Sequence, residues 1–485
     1  MNQFTLVWCH RDFRLADHPA LRSALAESQK VLFVYIHDPQ AEGRWQAGAA
    51  SNWWLHHSLL SFSASLRSIG TELIIRRGDS LTTLFDLCKE TGADAVYWNR
   101  LYEPALIARD KIVKSQLQSD GVNAKSFNGA LLREPWHVSK DDGTMYRVYT
   151  PFSRKYFQLP EPEIPLDAPE QIPTGHNGIK TESVESLSLL PDIPWDTGFS
   201  PEWTPGETGA AVQLDTFIDH GVLEYGEARD WPATDGVSKL SPHLHFGEIS
   251  PRQIWHAIRF HGEHASSAGV ENAAERVQPY LKQLIWRDFA HHILFHLPET
   301  TDQPFNPKFS TFRWEDNERV LKAWQRGKTG IPLVDAGMRQ LWQTGWMHNR
   351  IRMLVASVLT KNGLVHWLEG ARWFWDTLVD ASLANNSMGW QWTAGCGVDA
   401  APYYRIFSPA RQGERFDKDG AYVRRWVPEL AGVPAKYIHE PWLATPDILS
   451  SAGVTLGKEY PKPMVDLSLT RKEALERYKQ IKTLQ

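Results

Sequence analysis

FTLVW (4–8), VLFVYI (31–36), ELIIR (72–76) and DAVYW (94–98) are short apolar runs that alternate with longer stretches of helical period such as SNWWLHHSLLSFSASLRS (51–68). That alternation predicts βαβ units and a parallel sheet, an α/β fold for the first part of the chain. No GxGxxG follows the first run. CHRDFRLADHPAL (9–21) stands there instead, so a dinucleotide fingerprint of the Rossmann type is not expected at that turn.

Outward from this sheet the pattern changes twice. Between residues 158 and 205 the chain carries nine prolines with Glu, Ser and Gly and no sustained period, which predicts a long irregular connector. From about residue 207 the period is helical almost to the end, with turns at SP (241–242, 250–251), NP (306–307) and TGIP (329–332). At 485 residues the chain is too long for one ordinary core. The expected division is a Rossmann-like parallel-sheet domain over 1–130, a linker over 131–206 and an all-helical domain over 207–485.

The net charge of −5 excludes a global positive field as the device that recruits nucleic acid, although a local basic patch remains compatible with it. No apolar run is long enough to cross a bilayer, so a cytoplasmic protein without a membrane partner is expected. Cys9, Cys88 and Cys396 are scattered without ligand spacing, and the pairs His56-His57, His243-x-His245 and His291-His292 lack a third ligand at a usual spacing. No metal site is therefore expected. The outlier is 22 tryptophans. Most must be packing residues, Trp53-Trp54 among them, and the rest call for a reason such as stacking on bases or carrying electrons.

Unusual side chains concentrate in four segments: EYGEARDWPATDGVSKLSPHLHFGEISPRQ (224–253), YLKQLIWRDF (280–289), TGWMHNRIRM (344–353) and LVDASLANNSMGWQWTAGCGVDAAPYYRIFSP (378–409). Hydroxyls, arginines, an Asn-Asn pair and paired tryptophans are more than a structural bundle needs. In GVSKLS the small residues and Lys239 suit a pyrophosphate, with backbone N–H groups and a cation around it.

The segments WCHRDFRLADHPAL, GTMYRVYTPF, KLSPHLHFGEISPRQ, QLIWRDF, GWMHNRIRM and NNSMGWQWTAGCGVDAAPYYRIFSP, in this order and spacing, resemble the DNA photolyase/cryptochrome family. The class I pyrimidine-dimer photolyases look closer than the plant or animal cryptochromes. The resemblance implies an antenna domain, a linker and a helical domain that encloses FAD. It implies that Tyr225, Ser238, Lys239, Leu240 and Ser241 hold the phosphates and nearby groups. Gln283, Arg287, Asn349, Arg352, Asp380 and Ser382 would line the cofactor, and Asn386 would face flavin N5 and tune its redox couple. Trp390, Trp367 and Trp314 become an electron relay to the surface.

On the substrate side the resemblance makes Trp286 and Trp392 two walls for a flipped-out pyrimidine dimer, flanked by Arg229, Gln283, Asn349, Arg350 and Met353. Arg405, Arg411, Arg415, Arg424 and Arg425 would reach the DNA backbone. The implied activity is light-driven repair of UV-damaged DNA by electron transfer from reduced FAD to a cyclobutane pyrimidine dimer, with no obligate protein partner. The rival is a cryptochrome-like photosensor.

Four departures bear on this choice. Gln283 stands where a glutamate is usual, and Ser382 replaces the second carboxylate of an Asp-x-Asp that begins at Asp380. Val237 replaces a common threonine. Ala105 and Leu106 stand where folate-binding members carry Asn-Glu, which leaves Glu103 as a candidate substitute and the antenna open between methenyltetrahydrofolate and a deazaflavin. Gln283 and Ser382 favour the photosensor, whereas the short run after HEPWLATP (439–446) favours the enzyme.

Overall fold

The computed structural model describes residues 2–174, 178–400 and 404–483. Its sheet has five parallel strands, β1 (Asn2–Cys9), β2 (Ser28–His37), β3 (Leu73–Arg77), β4 (Ala95–Asn99) and β5 (Asn123–Phe127), in the order β3-β2-β1-β4-β5. β1 lies at the centre, with Leu6 opposite Leu32 of β2 on one side and Val96 of β4 on the other.

The apolar runs are continuous because both faces of the sheet are covered. Side chains alternate across a strand, so Val7, Phe33, Tyr35, Ile75 and Tyr97 share one core with Trp53 and Trp54 of the helix Ala49–Ser68. Leu6, Trp8, Leu32, Val34, Ile74, Val96 and Trp98 share the opposite core with Leu84, Leu87, Val113 and Leu117. The fifth strand adds to the four expected runs. β5 reads NAKSF and buries only Ala124, as an edge strand with one neighbour can.

The proline-rich connector crosses the sheet domain through single backbone bonds, Asp17 N–H to the Leu166 carbonyl at 2.7 Å and Val31 N–H to the Pro173 carbonyl at 2.8 Å. Ahead of the prolines, the helix Tyr149–Tyr156 packs Tyr149 and Phe152 against Phe289 of the helix Gln278–His296.

The C-terminal half is helical. Buried polar groups fasten it to the sheet half. Glu248, with no exposed surface, accepts from Trp54 Nε1 at 3.0 Å and lies 2.5 Å from His243 Nδ1. Arg252 pairs with Asp17 at 2.7 Å. The Trp53-Trp54 pair is thus domain packing. Among the described residues no helix is long and apolar enough to cross a membrane.

Candidate functional site

A cavity of about 840 Å³ opens in the helical half, within the range that holds cofactor-sized ligands. On the helix Gln278–His296, Tyr280, Gln283, Leu284, Arg287 and His291 line it, positions 3, 4, 7 and 11 residues after the first and so one helical face. On the helix Leu383–Ala394, Asn385, Met388, Gly389 and Trp392 do the same with steps of three and four. The helix Asn349–Ser357 contributes Asn349, Arg350, Arg352 and Met353 from its first turns.

The remaining wall is charged and tightly bonded. Arg352 grips Asp380 with two parallel bonds of 3.1 and 2.9 Å, and Ser241 Oγ donates to the same carboxylate at 2.6 Å. Such a fork fixes both groups in one geometry. Ser382 lines the cavity two residues on. The loop Val237–Ser241 lines it too, with Lys239 in a left-handed conformation at φ 52°. The Lys239 ammonium is 2.8 Å from Glu202 and 3.4 Å from Asp235, so its charge is largely answered within the protein. Arg350 is likewise committed, 2.5 Å from Asp230 and 3.8 Å over the Phe416 ring.

Burial keeps the aromatic and imidazole groups here neutral. Desolvation, and then Arg287, holds His291 down at about 4. His245 is pushed well below the usual imidazole range by burial and by Arg11 and Arg287. The buried Tyr225 hydroxyl is raised to about 12 despite Arg229 beside it. Permanent guanidiniums, the carboxylates of Glu103, Asp230 and Asp380 paired with them, neutral rings and amides can together bind a polar, planar cofactor.

Every expected cofactor and substrate residue lines this cavity except Asn386. Its neighbour Asn385 lines the wall, while Asn386 Nδ2 donates to the Ala371 carbonyl at 2.9 Å. Asn386 lies four residues before Trp390, on the face that turns to the helix Trp367–Thr377.

The expected relay lies in the core behind this wall. Trp390 and Trp367 are almost wholly buried, at 2% and 1% exposure, and Trp314 is half-buried beside a surface groove of about 710 Å³. The Trp390 ring lies against Gly370, where an added Cβ would come within 2.0 Å of it. Gly370 follows Trp367 by three residues on one helix, so both tryptophans meet the same helical face.

Of the distal arginines, Arg405 lines the cavity with its guanidinium 6.0 Å over the Trp392 ring. Arg424 donates to the carbonyls of Asp419, Ala431 and Val433 and so braces its own loop. Arg415 and Arg425 lie over the rings of Phe416 and Trp426.

Sequence reasoning missed the contribution of the sheet half. Arg11, after β1, and Tyr102 and Glu103, after β4, line the cavity from the carboxyl ends of the two strands where the chain order reverses. Parallel sheets place ligands at this point. The Arg11–Glu103 pair, 2.5 Å apart, also lines a second cavity of about 290 Å³ with Glu42, Trp45, Ala105, Leu106 and Trp375. The turn after β1 also brings Cys9, Asp12 and His18 within 4.8 Å of one another. Their ligand atoms are engaged: His18 Nδ1 accepts from Leu21 N–H and its Nε2 lies 3.1 Å from Asp12, which also accepts from Asn99.

Comparison with known proteins agrees with this geometry. A family profile described as "DNA photolyase" matches residues 5–170, and one described as "FAD binding domain of DNA photolyase" matches residues 280–480. The deoxyribodipyrimidine photo-lyase of Agrobacterium fabrum is 48% identical over 98% of this chain and 98% of its own. Cryptochrome-1 of Arabidopsis thaliana is 38% identical over 96% of this chain and 68% of its own. A crystal structure of a bacterial class III photolyase from Agrobacterium tumefaciens superposes with a TM-score of 0.94 at 47% identity, covering 99% of this chain and 98% of that one. The expected closeness to class I is not supported by these matches.

Proposed function

The chain belongs to the DNA photolyase family, and from that premise we propose that it repairs UV-damaged DNA by light-driven electron transfer, splitting cyclobutane pyrimidine dimers. One observation carries the reading: Trp286 and Trp392 line the same cavity as the Arg352–Asp380 pair and the Val237–Ser241 loop, so aromatic walls and a polar cofactor cradle share one chamber. The helical half is an FAD-binding domain. FAD, which the Val237–Ser241 loop, Arg352 and Asp380 would hold, would supply light-driven one-electron chemistry.

The protein's part is placement. Trp286 and Trp392 stack against an extruded dimer, whose poor stacking in the duplex lowers the cost of flipping it out. Gln283, one turn before Arg287, offers an amide N–H to a thymine carbonyl on which charge develops. Arg352, Asp380 and Ser241 hold one another and present a fixed polar edge to the flavin. Trp390 and Trp367 are buried and Trp314 is half-buried beside a surface groove, an order that suits refilling from solvent by an external reductant.

Within the family we assign the chain to the class III photolyases, a reading supported by the 47% identical structure that carries that description. We retain 1–130, 131–206 and 207–485 as antenna domain, linker and helical domain. The 290 Å³ cavity at the switch point, with Trp45 and Trp375 at 5.4 Å, is the proposed seat of a second chromophore.

The photosensor reading is kept alive by Gln283 and by the plant cryptochrome at 38% identity. Two experiments on the FAD-loaded protein separate the readings. Binding to a dimer-containing oligonucleotide should exceed binding to the intact strand and weaken steeply with salt, as phosphate contacts require. Blue light with an external thiol should reduce the flavin, and Trp390→Phe should abolish this while FAD stays bound. Equal affinity for damaged and intact strands favours the photosensor, and full-speed photoreduction in the variant removes the relay.

A further inference from the structure

Between the outer two members of the relay stands a histidine. His366 stacks on Trp367 with ring centroids 5.7 Å apart and planes at 29°, and meets Trp314 edge to face at 5.2 Å. Among the described residues no ring contact joins Trp367 to Trp314 directly, so the imidazole occupies the gap between the two indoles. Phe312 also packs on the Trp314 ring, with centroids 4.5 Å apart.

The backbone fixes the ring in that place. His366 is the N-cap of the helix Trp367–Thr377, and its Nδ1 accepts from Leu368 N–H at 3.1 Å. A cap that accepts at Nδ1 carries its proton at Nε2, so the neutral imidazole is selected by the helix it begins.

We propose that His366 is a positioning residue of the relay, the aromatic bridge through which the outer hop passes between Trp367 and Trp314. The inference rests on the relay reading of Trp390, Trp367 and Trp314. Photoexcitation moves one electron from Trp390 to the oxidised flavin. Trp367 refills Trp390, Trp314 refills Trp367 across His366, and an external thiol in the groove gives one electron to Trp314. His366 is neither oxidised nor reduced and transfers no proton.

Charge on this ring works against the hop. Protonation would occur at Nδ1, break the bond to Leu368 N–H and set a cation against both indoles just as one must become a radical cation. Burial holds the His366 pKa below the ordinary imidazole value, Glu369 opposes this and Arg372 assists it. On the Trp314 side the charged groups of the groove are Arg313, Glu315, Glu473, Glu476 and Arg477. The bridge is therefore neutral at neutral pH, and the outer hop fails in acid.

Two variants separate bridging from capping. His366→Asn keeps a short acceptor for Leu368 N–H and removes the ring, whereas His366→Phe keeps a ring and removes the acceptor. Transient absorption on the FAD-loaded protein reads the early loss of oxidised flavin, which reports the Trp390 step, and the later long-lived tryptophan radical. The expected result is an unchanged early phase in both variants, with the long-lived radical several-fold lower in Asn and near the parent in Phe. Proton NMR of the His366 ring should titrate below about 6.5, and the parent's long-lived radical should fall over that same pH interval. Thermal midpoints should show the opposite order, with Phe the less stable variant. Parent-level long-lived radical in His366→Asn overturns the bridge, as does a radical yield that ignores the His366 titration. Failure of the relay itself looks different: Trp390→Phe would then keep the early phase.

Discussion

Tyr149 stacks face to face on Trp286, with ring centroids 3.5 Å apart and planes 8° from parallel. Tyr149 comes from the helix Tyr149–Tyr156 ahead of the connector, and its hydroxyl donates to the Lys282 carbonyl at 3.1 Å. One wall of the proposed lesion chamber is thus backed by an aromatic ring from another part of the chain. Tyr149→Ala should free the indole and reduce the preference for damaged over intact DNA by about 1 kcal/mol, the worth of an aromatic pair beyond its area. Tyr149→Phe should keep that preference and lose only the hydroxyl bond. Competition binding with the two oligonucleotides checks this. An unaltered preference in Tyr149→Ala would mean that Trp286 needs no support.

The grip of Arg352 on Asp380 makes a second prediction. Asp380→Ala leaves the guanidinium and Ser241 Oγ without their shared acceptor on a largely buried wall, where breaking a pair costs more than the pair contributes. Because Arg352 keeps 23% of its side-chain surface exposed, the expected loss is moderate, about 2–3 kcal/mol in FAD affinity. Asp380→Asn should recover part of it. Titration of the apoprotein with FAD gives the numbers, and an Ala variant that holds FAD like the parent would refute the assignment.

Asp288 makes a distinct contribution to how stability depends on pH. Burial raises its carboxyl to about 6, against attraction from Arg287 and bonds from Arg133 N–H and Tyr156 OH. The native state therefore binds this proton more tightly than the unfolded chain. Its contribution is fully present below about pH 4 and is lost as pH rises through about 6, by at most about 3 kcal/mol. In Asp288→Asn one amide oxygen can take both bonds, which meet at Oδ2 at 2.8 Å each. The difference in unfolding free energy between parent and variant should change across pH 4–6 and be flat above. Parallel pH profiles for the two proteins would show that Asp288 is not the titrating group.

Gln283 tests the choice between repair and sensing. Its Nε2 donates to the Pro279 carbonyl at 3.3 Å, and the second amide hydrogen remains for a dimer carbonyl. A neutral carboxylic acid is the better donor, and the exchange is worth about 1 kcal/mol of radical-anion stabilisation. Gln283→Glu should raise the repair yield several-fold and leave the flavin spectrum unchanged. A lower yield in the variant would show that the amide is the adapted group.

Four strands of the sheet, the edge strand Leu73–Arg77 among them, were readable from the sequence because their apolar residues run on without alternating. NAKSF escaped because it buries one residue in five and has no hydrophobic face, whereas the other edge strand, LIIRR, buries three. Most of the helical cavity wall was legible through motifs that keep a helical spacing, as Gln283 and Arg287 do four residues apart. What could not be read was contact between distant segments. Arg11 and Glu103 reach the cavity only because β1 and β4 lie side by side at the switch point, and Tyr149 reaches Trp286 only because its helix docks across 137 residues of chain. The pairing of Lys239 with Glu202 and of Arg350 with Asp230 was equally hidden, since those partners lie on distant segments.

Light-driven splitting of pyrimidine dimers by this protein is open to direct measurement. The direct measurement is to illuminate the reduced, FAD-loaded protein with an oligonucleotide containing one cyclobutane thymine dimer and follow the return of thymine absorbance. Absorbance should recover in the light with multiple turnovers, stay flat in the dark, and recover far more slowly in the Trp286→Ala, Trp392→Ala double variant. No recovery in the light, with none created by Gln283→Glu, would contradict the enzyme and leave the photosensor in its place.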